Sequence, residues 1–221
     1  MACETKFESE LFGAGYRLIA GADEVGRGAL AGPVVAAAVI LNPFKMPEGI
    51  DDSKRLTKLR RERLEAEIKE SAIAYSVARI EHYEIDQINI HRASLLAICE
   101  AVKALQPIPD YVLIDGKFKV PQLACPQMPI IKGDSLSVSV GAASIIAKVA
   151  RDRLMKEYDE QFPGYGFASH VGYNTRAHQE AIARLGPSDI HRLTFHGVQS
   201  FQAALDLHEE ESPLSSLQAI K

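Results

Sequence analysis

The chain has too little cysteine for cysteine chemistry to organise it. Cys3, Cys99 and Cys125 are odd in number and far apart in 221 residues, which suits neither a disulfide framework nor a zinc knuckle, so they read as reduced thiols. Long apolar runs are missing as well. No stretch reaches the roughly 20 apolar residues that cross a bilayer, and residues 1 to 17 lack the charged-then-apolar pattern of a secretion signal, so a cytoplasmic protein with no membrane partner is expected. There is no internal repeat, low-complexity tract or coiled-coil seam, and a monomer is the default expectation. A formal net charge of -4 argues against a polycationic nucleic-acid coat, leaving a local basic groove as the form that such binding would take.

What is present is enough apolar material, 47% of the residues, for one sizeable core with at most a small appended lobe. Residues 18 to 24 and 33 to 41 are apolar, partly β-branched and separated by a glycine-rich bend, so they read as adjacent strands. Ala72 to Ile80, with partial alternation through Ile73, Tyr75, Val77 and Arg79, completes an antiparallel meander. Thr57 caps a helix reaching Glu70, in which Leu64 and Ile68 form an apolar i, i+4 pair. Asn89 to Leu105 carries a clearer helical stripe through Ile90, Ala93, Ala97, Ala101 and Ala104 or Leu105, and Pro107 ends it. A helix followed by the short buried strand Tyr111 to Asp115 is the parallel-unit pattern of an α/β sheet. Pro126 and Pro129 bracket a further short segment, and Ser137 to Phe162 reads as a long helix with a buried first half. Pro163-Gly164-Tyr165-Gly166 breaks it; helices over Thr175 to Leu185 and Phe195 to Glu210 follow, and then a tail over Ser212 to Lys221.

Four acids stand where apolar runs end. Asp23 and Glu24 lie in Gly21-Ala22-Asp23-Glu24-Val25-Gly26-Arg27-Gly28, Asp115 follows Tyr111-Val112-Leu113-Ile114, and Asp134 follows Lys132-Gly133. Carboxylates at the ends of buried segments need partners, and a shared pocket holding divalent cations supplies them. All four are hard oxygen donors, and no Cys or His set at zinc spacing accompanies them, so Mg2+ or Mn2+ is the expected cofactor. Two such ions about 3.5 to 4 Å apart activate water on one side of a phosphorus and stabilise the departing oxygen on the other. Metal-dependent phosphodiester chemistry is therefore the first hypothesis. Asp23, Asp115 and Asp134 are the expected direct ligands, with Glu24 bridging ions or orienting water. Strand side chains alternate faces, so Asp23 and Glu24 share a pocket only if the strand end or the glycine bend re-aims one of them. Asp115 joins them only if its strand is a neighbour. Asp134 either caps the long helix or donates from its start, in competition with Ser135 and Ser137 for the cap.

Lys54, Arg55, Lys58, Arg60, Arg61 and Arg63 form one basic cluster, while Lys117, Lys119 and Lys132 lie near two of the acids in sequence. A solvated helix face accounts for much of the first group. Gly26-Arg27-Gly28-Ala29-Leu30-Ala31 also matches a dinucleotide-binding glycine pattern, which makes a dinucleotide-dependent oxidoreductase a rival. Asp23 and Glu24 before a pyrophosphate cradle, and Pro33 where a helix should continue, speak against it. A second rival, a non-catalytic hybrid-binding module, gains nothing from convergent carboxylates that repel phosphate.

Over roughly residues 17 to 200 the chain resembles bacterial ribonuclease HII, the type 2 ribonuclease H family. The resemblance is carried by the carboxylate and glycine string above, by Asp52-Ser53-Lys54-Arg55-Leu56-Thr57, Leu113-Ile114-Asp115-Gly116 and Lys132-Gly133-Asp134, and by the run from Ala142 to Arg153. Gly172-Tyr173-Asn174-Thr175 and His191-Arg192-Leu193-Thr194-Phe195 complete it. It implies an α/β fold with a ribonuclease H-like mixed five-stranded sheet, three strands antiparallel and the others parallel, flanked by helices. A catalytic domain over 17–190 would be followed by a small helical C-terminal extension over 191–221. It further implies endonucleolytic cutting of the RNA strand in RNA/DNA hybrids and 5' of single ribonucleotides in duplex DNA, leaving 3'-hydroxyl and 5'-phosphate ends. No residue pattern specifies a replication-clamp or repair partner.

By the same resemblance Asp23, Glu24, Asp115 and Asp134 are catalytic and metal-binding, Gly26, Arg27 and Gly28 sense the junction, and Tyr173 stacks on the sugar beside it. Lys54 is an expected phosphate contact supported by Ser53 or Thr57, and Lys148 and Arg151 are secondary candidates for approaching the duplex or the acids. Asp152 faces another side and is expected in a salt bridge. Many relatives carry Lys before the Gly-Tyr pair where this chain has Val171, so a phosphate contact is either lost or moved to His170. His170, His178, His191 and His196 do not form a compact zinc motif, and His191 with Arg192 is assigned to packing.

Overall fold

A computed structural model of the chain describes residues 3–199. In order its elements are α1 Lys6–Gly13, β1 Ile19–Val25, β2 Val34–Ile40, α2 Lys58–Ser71, β3 Ala74–Ile80, α3 His82–Ile88, α4 Ile90–Lys103, β4 Tyr111–Asp115, β5 Gln127–Ile130, α5 Gly133–Leu136, α6 Val138–Gln161, α7 Phe167–His170 and α8 Arg176–Leu185. Residues 196–199 begin another helical turn; the remainder of the helix expected to reach Glu210, and the tail after it, lie outside the described residues. No helix among the described residues is long and apolar enough to cross a membrane.

The strands form one sheet in the order β3-β2-β1-β4-β5. β1 pairs antiparallel with β2, and β2 antiparallel with β3, whereas β4 runs parallel to β1 and β5 parallel to β4. This is the mixed five-stranded sheet that the resemblance implied. Every residue of β2 is buried, because both faces of the sheet are covered. Its Ala37 and Val39 pack with Leu64 and Ile68 of α2 and with Ala142, Ala143, Ile146 and Ala147 of α6. Alternation turns Ala36 and Ala38 to the opposite face, where α4 runs against β1, β2 and β3.

The helices start where the capping residues sit. The Thr57 hydroxyl accepts from the Arg60 amide and opens α2, and the Asn89 side chain accepts from the His91 and Arg92 amides to open α4. Along α4 the residues Ala93, Ala97, Ala101 and Leu105 are buried and Ala104 is exposed, which places the end of the stripe at Leu105. The alternation of β3 is real but its large members face outward: Tyr75 and Val77 are exposed. The small residues turn inward, and Ser76 donates its hydroxyl to the Ala101 carbonyl of α4. Four helices, α1, α3, α5 and α7, have no counterpart among the elements expected from the sequence. Ser137 opens α6 by accepting from the Val140 amide, so it takes the cap for which Asp134 and Ser135 were also candidates.

Among the described residues the chain divides into two units, one of residues up to Arg27 and 33–154, the other of 28–32 and from Met155 on. The first holds the sheet. In it Gly21 of β1 meets the first turn of α6 backbone to backbone: a Cβ at Gly21 would lie 2.1 Å from the Ser139 carbonyl carbon. The second unit has its own core of Ala31, Met155, Tyr165, Phe167, Ala181 and Ile190, with Leu30, Ile182 and Val198 forming another cluster. The division falls inside the glycine loop, between Arg27 and Gly28.

Candidate active site

The parallel pairing of β1 with β4 runs from Ile19 opposite Tyr111 to Ala22 opposite Ile114. The next step in that register sets Asp23 beside Asp115. Asp134 comes to the same place from α5, whose first amides point at β4: Gly133 N–H donates to Asp115 Oδ1 at 2.7 Å and Asp134 N–H to the same oxygen at 3.4 Å. Asp23 and Asp134 are buried. Asp23 Oδ1 accepts the Glu24 amide at 2.7 Å, and the Ser144 hydroxyl of α6 favours its anionic form.

Glu24 follows Asp23 on the strand, and its carboxylate is 8% exposed with Oε1 2.8 Å from Arg27 Nη1. Its charge nevertheless acts on both neighbours. Burial holds the Asp23 carboxyl well above the usual range, and the charges of Glu24, Asp115 and Asp134 push in the same direction. Asp115 is raised by burial and by Asp134 and Glu24, with the Gly133 amide opposing them. Asp23 and Asp115 therefore feel the like charges around them through a poorly solvated space. Among the described residues no three acids, histidines or cysteines are drawn together tightly enough to hold a metal ion as they stand. The donor set itself, carboxylates only, with Asp23 and Asp115 disfavoured as anions, is the chemistry that a hard dication neutralises.

The basic cluster separates into parts with different work. Lys54 alone of it reaches the acids, with Nζ 3.6 Å from Asp134 Oδ2 and the side chain 77% exposed. Its loop is pinned from below: Arg61 donates to the Ser53 and Leu56 carbonyls, and buried Ser53 shares a hydroxyl hydrogen bond of 2.9 Å with Ser144. Thr57 is engaged in capping. Arg63 pairs with Glu67 along the helix, and Lys117, Lys119 and Lys132 are exposed.

Arg151 is fully buried and donates to the Pro33 carbonyl. It lies beneath the glycine bend, since a Cβ at Gly26, whose φ is +94°, would fall 2.3 Å from its Nε. Gly26 is thus required both by its left-handed backbone and by the guanidinium beside it. Lys148 pairs with Asp152, which Arg61 also approaches at 3.6 Å; this is the salt bridge expected of Asp152.

Residues 20–198 match the family model described as Ribonuclease HII. The chain belongs to the ribonuclease HII family. It is 58% identical over 195 residues to the ribonuclease HII of Geobacter sulfurreducens, covering 87% of this chain and 88% of that one. With the ribonuclease HII of Listeria monocytogenes it shares 50% identity over 203 residues, 91% of this chain and 77% of the other. The crystal structure of ribonuclease H2 from Pyrococcus horikoshii has the same fold, with a TM-score of 0.74 at 23% identity, covering 86% of this chain and 99% of that one. Against that family background the dinucleotide alternative fails on geometry as well: after Gly28 the chain turns through a bend into the antiparallel strand β2, and no helix follows the glycines.

In the second unit of this ribonuclease HII family member, Gly28 and Tyr173 approach each other; a Cβ on Gly28 would lie 4.0 Å from Tyr173 Cε1. Ala29 bridges Tyr173 and Leu30 N–H donates to the Gly172 carbonyl, so the loop and the tyrosine segment are laced together. His170 is not available to replace a phosphate-binding lysine at position 171. Its Nε2 lies 2.8 Å from the Tyr165 carbonyl and its Nδ1 accepts from the Gly172 amide, so both ring nitrogens are used. His170, His178 and His191 do come together, which their separation in the sequence concealed: the His170 and His178 rings stack with centroids 4.3 Å apart, and the Nε2 atoms of His178 and His191 are 3.0 Å apart.

Burial, helped by neighbouring His170, pushes His178 down to about 4 from the usual 6.5. The unfolded chain takes up a proton near 6.5 that the folded chain refuses until about 4. The contribution of this group to stability is therefore full above pH 6.5 and declines as the pH falls toward 4. Thermal melts at pH 7.5 and 5 should show a smaller acid-induced drop in midpoint for His178→Asn than for the native chain. Equal drops would contradict the assignment.

Proposed function

We infer that this protein is a ribonuclease H-type endonuclease that hydrolyses the RNA strand of RNA/DNA hybrids and cuts at ribonucleotides embedded in duplex DNA, the activity of the family to which it belongs. One observation carries the reading: Asp23 and Asp115 fall in register on neighbouring parallel strands, with Asp134 delivered to Asp115 by the start of α5. The finer reading is a cut on the 5' side of the ribonucleotide that leaves 3'-hydroxyl and 5'-phosphate ends, supported by Mg2+ or Mn2+.

Asp23, Asp115 and Asp134 would hold the cations and Glu24 would bridge them or orient water. When bound, such ions supply Lewis-acid stabilisation of the phosphorus oxygens and a water acidic enough to attack at neutral pH. The protein contributes position and charge. Asp115 is fixed by two backbone amides, so its free oxygen has a defined direction. The Glu24 amide does the same for Asp23. The Lys54 ammonium, exposed on a pinned loop, is suited to a phosphate oxygen, and the Arg27 guanidinium, 48% exposed and tied to Glu24, to phosphate or sugar. Gly28 and Tyr173 are suited to reading the 2'-hydroxyl side of the junction, where close backbone approach and a ring face against the sugar distinguish RNA from DNA. The buried Arg151 supports the glycine bend from beneath and does not itself reach a duplex.

A divalent-ion titration on a duplex with one embedded ribonucleotide tests the function. Cleavage should be absent in chelator, return with Mg2+ or Mn2+, and yield a 5'-phosphate on the fragment that begins with the ribonucleotide. Folded protein that bound the duplex and never cut it at any concentration of either ion would make the chain a binding module instead.

A further inference from the structure

The tyrosine segment is held in a conformation that its own sequence does not favour. Val171 has φ +44° and ψ 38°, a left-handed backbone that a β-branched residue adopts only under constraint. Gly172 follows at φ +79°, and Tyr173 comes next. The constraint is visible in the hydrogen bonds. Tyr173 N–H donates to the His170 carbonyl, Thr175 N–H donates to the Tyr173 carbonyl, and that same carbonyl receives His178 Nδ1 at 3.0 Å.

The partners of the two buried imidazoles define their protons. Because His178 Nδ1 faces a carbonyl oxygen it carries hydrogen, so in the neutral ring Nε2 is an acceptor. The facing His191 Nε2, 3.0 Å away, must then donate. That leaves His191 Nδ1 as an acceptor, and the Ser188 amide meets it at 2.8 Å, with the Ser188 hydroxyl at the same distance. The chain from Ser188 through His191 and His178 to the Tyr173 carbonyl is complete only with both rings neutral. Its surroundings maintain that state: Phe167 stands edge-on to His178, His170 stacks on it, and Tyr165, whose hydroxyl donates to the Gly186 carbonyl, lies beside His191. Asp189, whose charge is felt at Tyr165, is the acid on this side.

We propose that His178, backed by His191, is a positioning residue for Tyr173, fixing the tyrosine carbonyl and thereby the ring that meets the sugar of the substrate. The proposal rests on Tyr173 being a substrate contact. His178 touches no substrate and acts through the main chain at Tyr173. A small misplacement of a positioning group lowers turnover by up to about 100-fold, so His178→Leu should reduce kcat/KM on a single-ribonucleotide duplex by roughly 10- to 100-fold. His178→Asn, whose amide N–H replaces Nδ1–H toward the Tyr173 carbonyl, should recover much of that loss.

The experiment compares His178→Leu, His178→Asn, Tyr173→Ala and the Leu/Ala double variant, together with hydrogen exchange at the amides of residues 172–175. The proposal expects the double variant to be no worse than Tyr173→Ala alone, and faster exchange in the Leu variant than in the Asn variant. Losses that multiply in the double variant would overturn it, because His178 would then act independently of the tyrosine. An effect of Tyr173→Ala with none of His178→Leu would overturn it while leaving the tyrosine reading intact. Full activity of Tyr173→Ala would instead remove the tyrosine reading, and the proposal with it. If His178→Leu does not fold, His191→Leu, one ring further from the tyrosine, takes its place with the same expected pattern.

Discussion

Replacing Asp115 by Asn is expected to lower cleavage of a ribonucleotide-containing duplex by at least about 1000-fold, ~4 kcal/mol in barrier, with the fold intact. The substitution is nearly isosteric, and its remaining oxygen can still accept the Gly133 amide that Asp115 accepts at 2.7 Å. What disappears is a negative charge among four. The Asp115 carboxyl is raised by burial and by Asp134 and Glu24, so its anionic form is a burden on the folded state in the absence of a cation. Such a group stabilises the fold below the unfolded carboxylate range and loses that contribution as the pH rises through its elevated folded value. At neutral pH the Asn variant should therefore melt no lower than the native protein. Addition of Mn2+ should raise the native midpoint by mass action and raise that of the variant less. Unchanged turnover in the variant would remove Asp115 from the cation-holding set; a large fall in its melting temperature would show that the charge had been structural.

Gly21→Ala is expected to destabilise the protein by about 3 kcal/mol, through overpacking that the neighbours cannot relieve. The added methyl would lie 2.1 Å from the Ser139 carbonyl carbon, 2.2 Å from its oxygen and 2.4 Å from the Val140 nitrogen, all of them backbone in the first turn of α6. No rotamer change removes such a clash, so β1 and α6 must separate. For a chain of this size 3 kcal/mol corresponds to a fall of roughly 6–12 °C in the thermal midpoint. Gly21 and Asp23 are two residues apart on one strand and face the same way, and the ionisation of Asp23 is influenced by Ser144 further along α6. Any variant protein that remains folded should therefore lose activity as well. Gly13→Ala, where nothing lies within 4 Å of the added Cβ, is the matched control and should melt with the native chain.

Much of the framework was legible because its signals are local. The cap Thr57, the alanine stripe of α4 and the uninterrupted apolar run of β2 all express interactions within a few residues, and each element formed where its pattern lay. Helices α1, α3, α5 and α7 were missed; α3 is short and carries a capping box between Glu81 and Glu84 that could have announced it. Ser144 was passed over as a partner for Asp23 because a serine inside a small-residue helix carries no signal of its own. The difficulty raised by Asp23 and Glu24 as consecutive strand residues also resolved in space: Glu24 turns to Arg27, yet its charge reaches Asp23 and Asp115.

By itself the amino-acid sequence determined the strands and the longer helices, that acids stand at the ends of buried runs, and which family the ordered motifs belong to. These follow from side-chain periodicity, from capping and turn chemistry, and from the expense of leaving a carboxylate in an apolar segment. Tertiary structure decided the rest: that β4 lies beside β1 in the register that sets Asp115 next to Asp23, that Lys54 alone of six neighbouring cations reaches Asp134, that Arg151 is buried under Gly26, and that His178 and His191 meet at hydrogen-bond distance behind Tyr173. Each of these joins residues with no local relation along the chain. Strand order and helix packing determine such meetings, and a side chain two or four positions away carries no information about either.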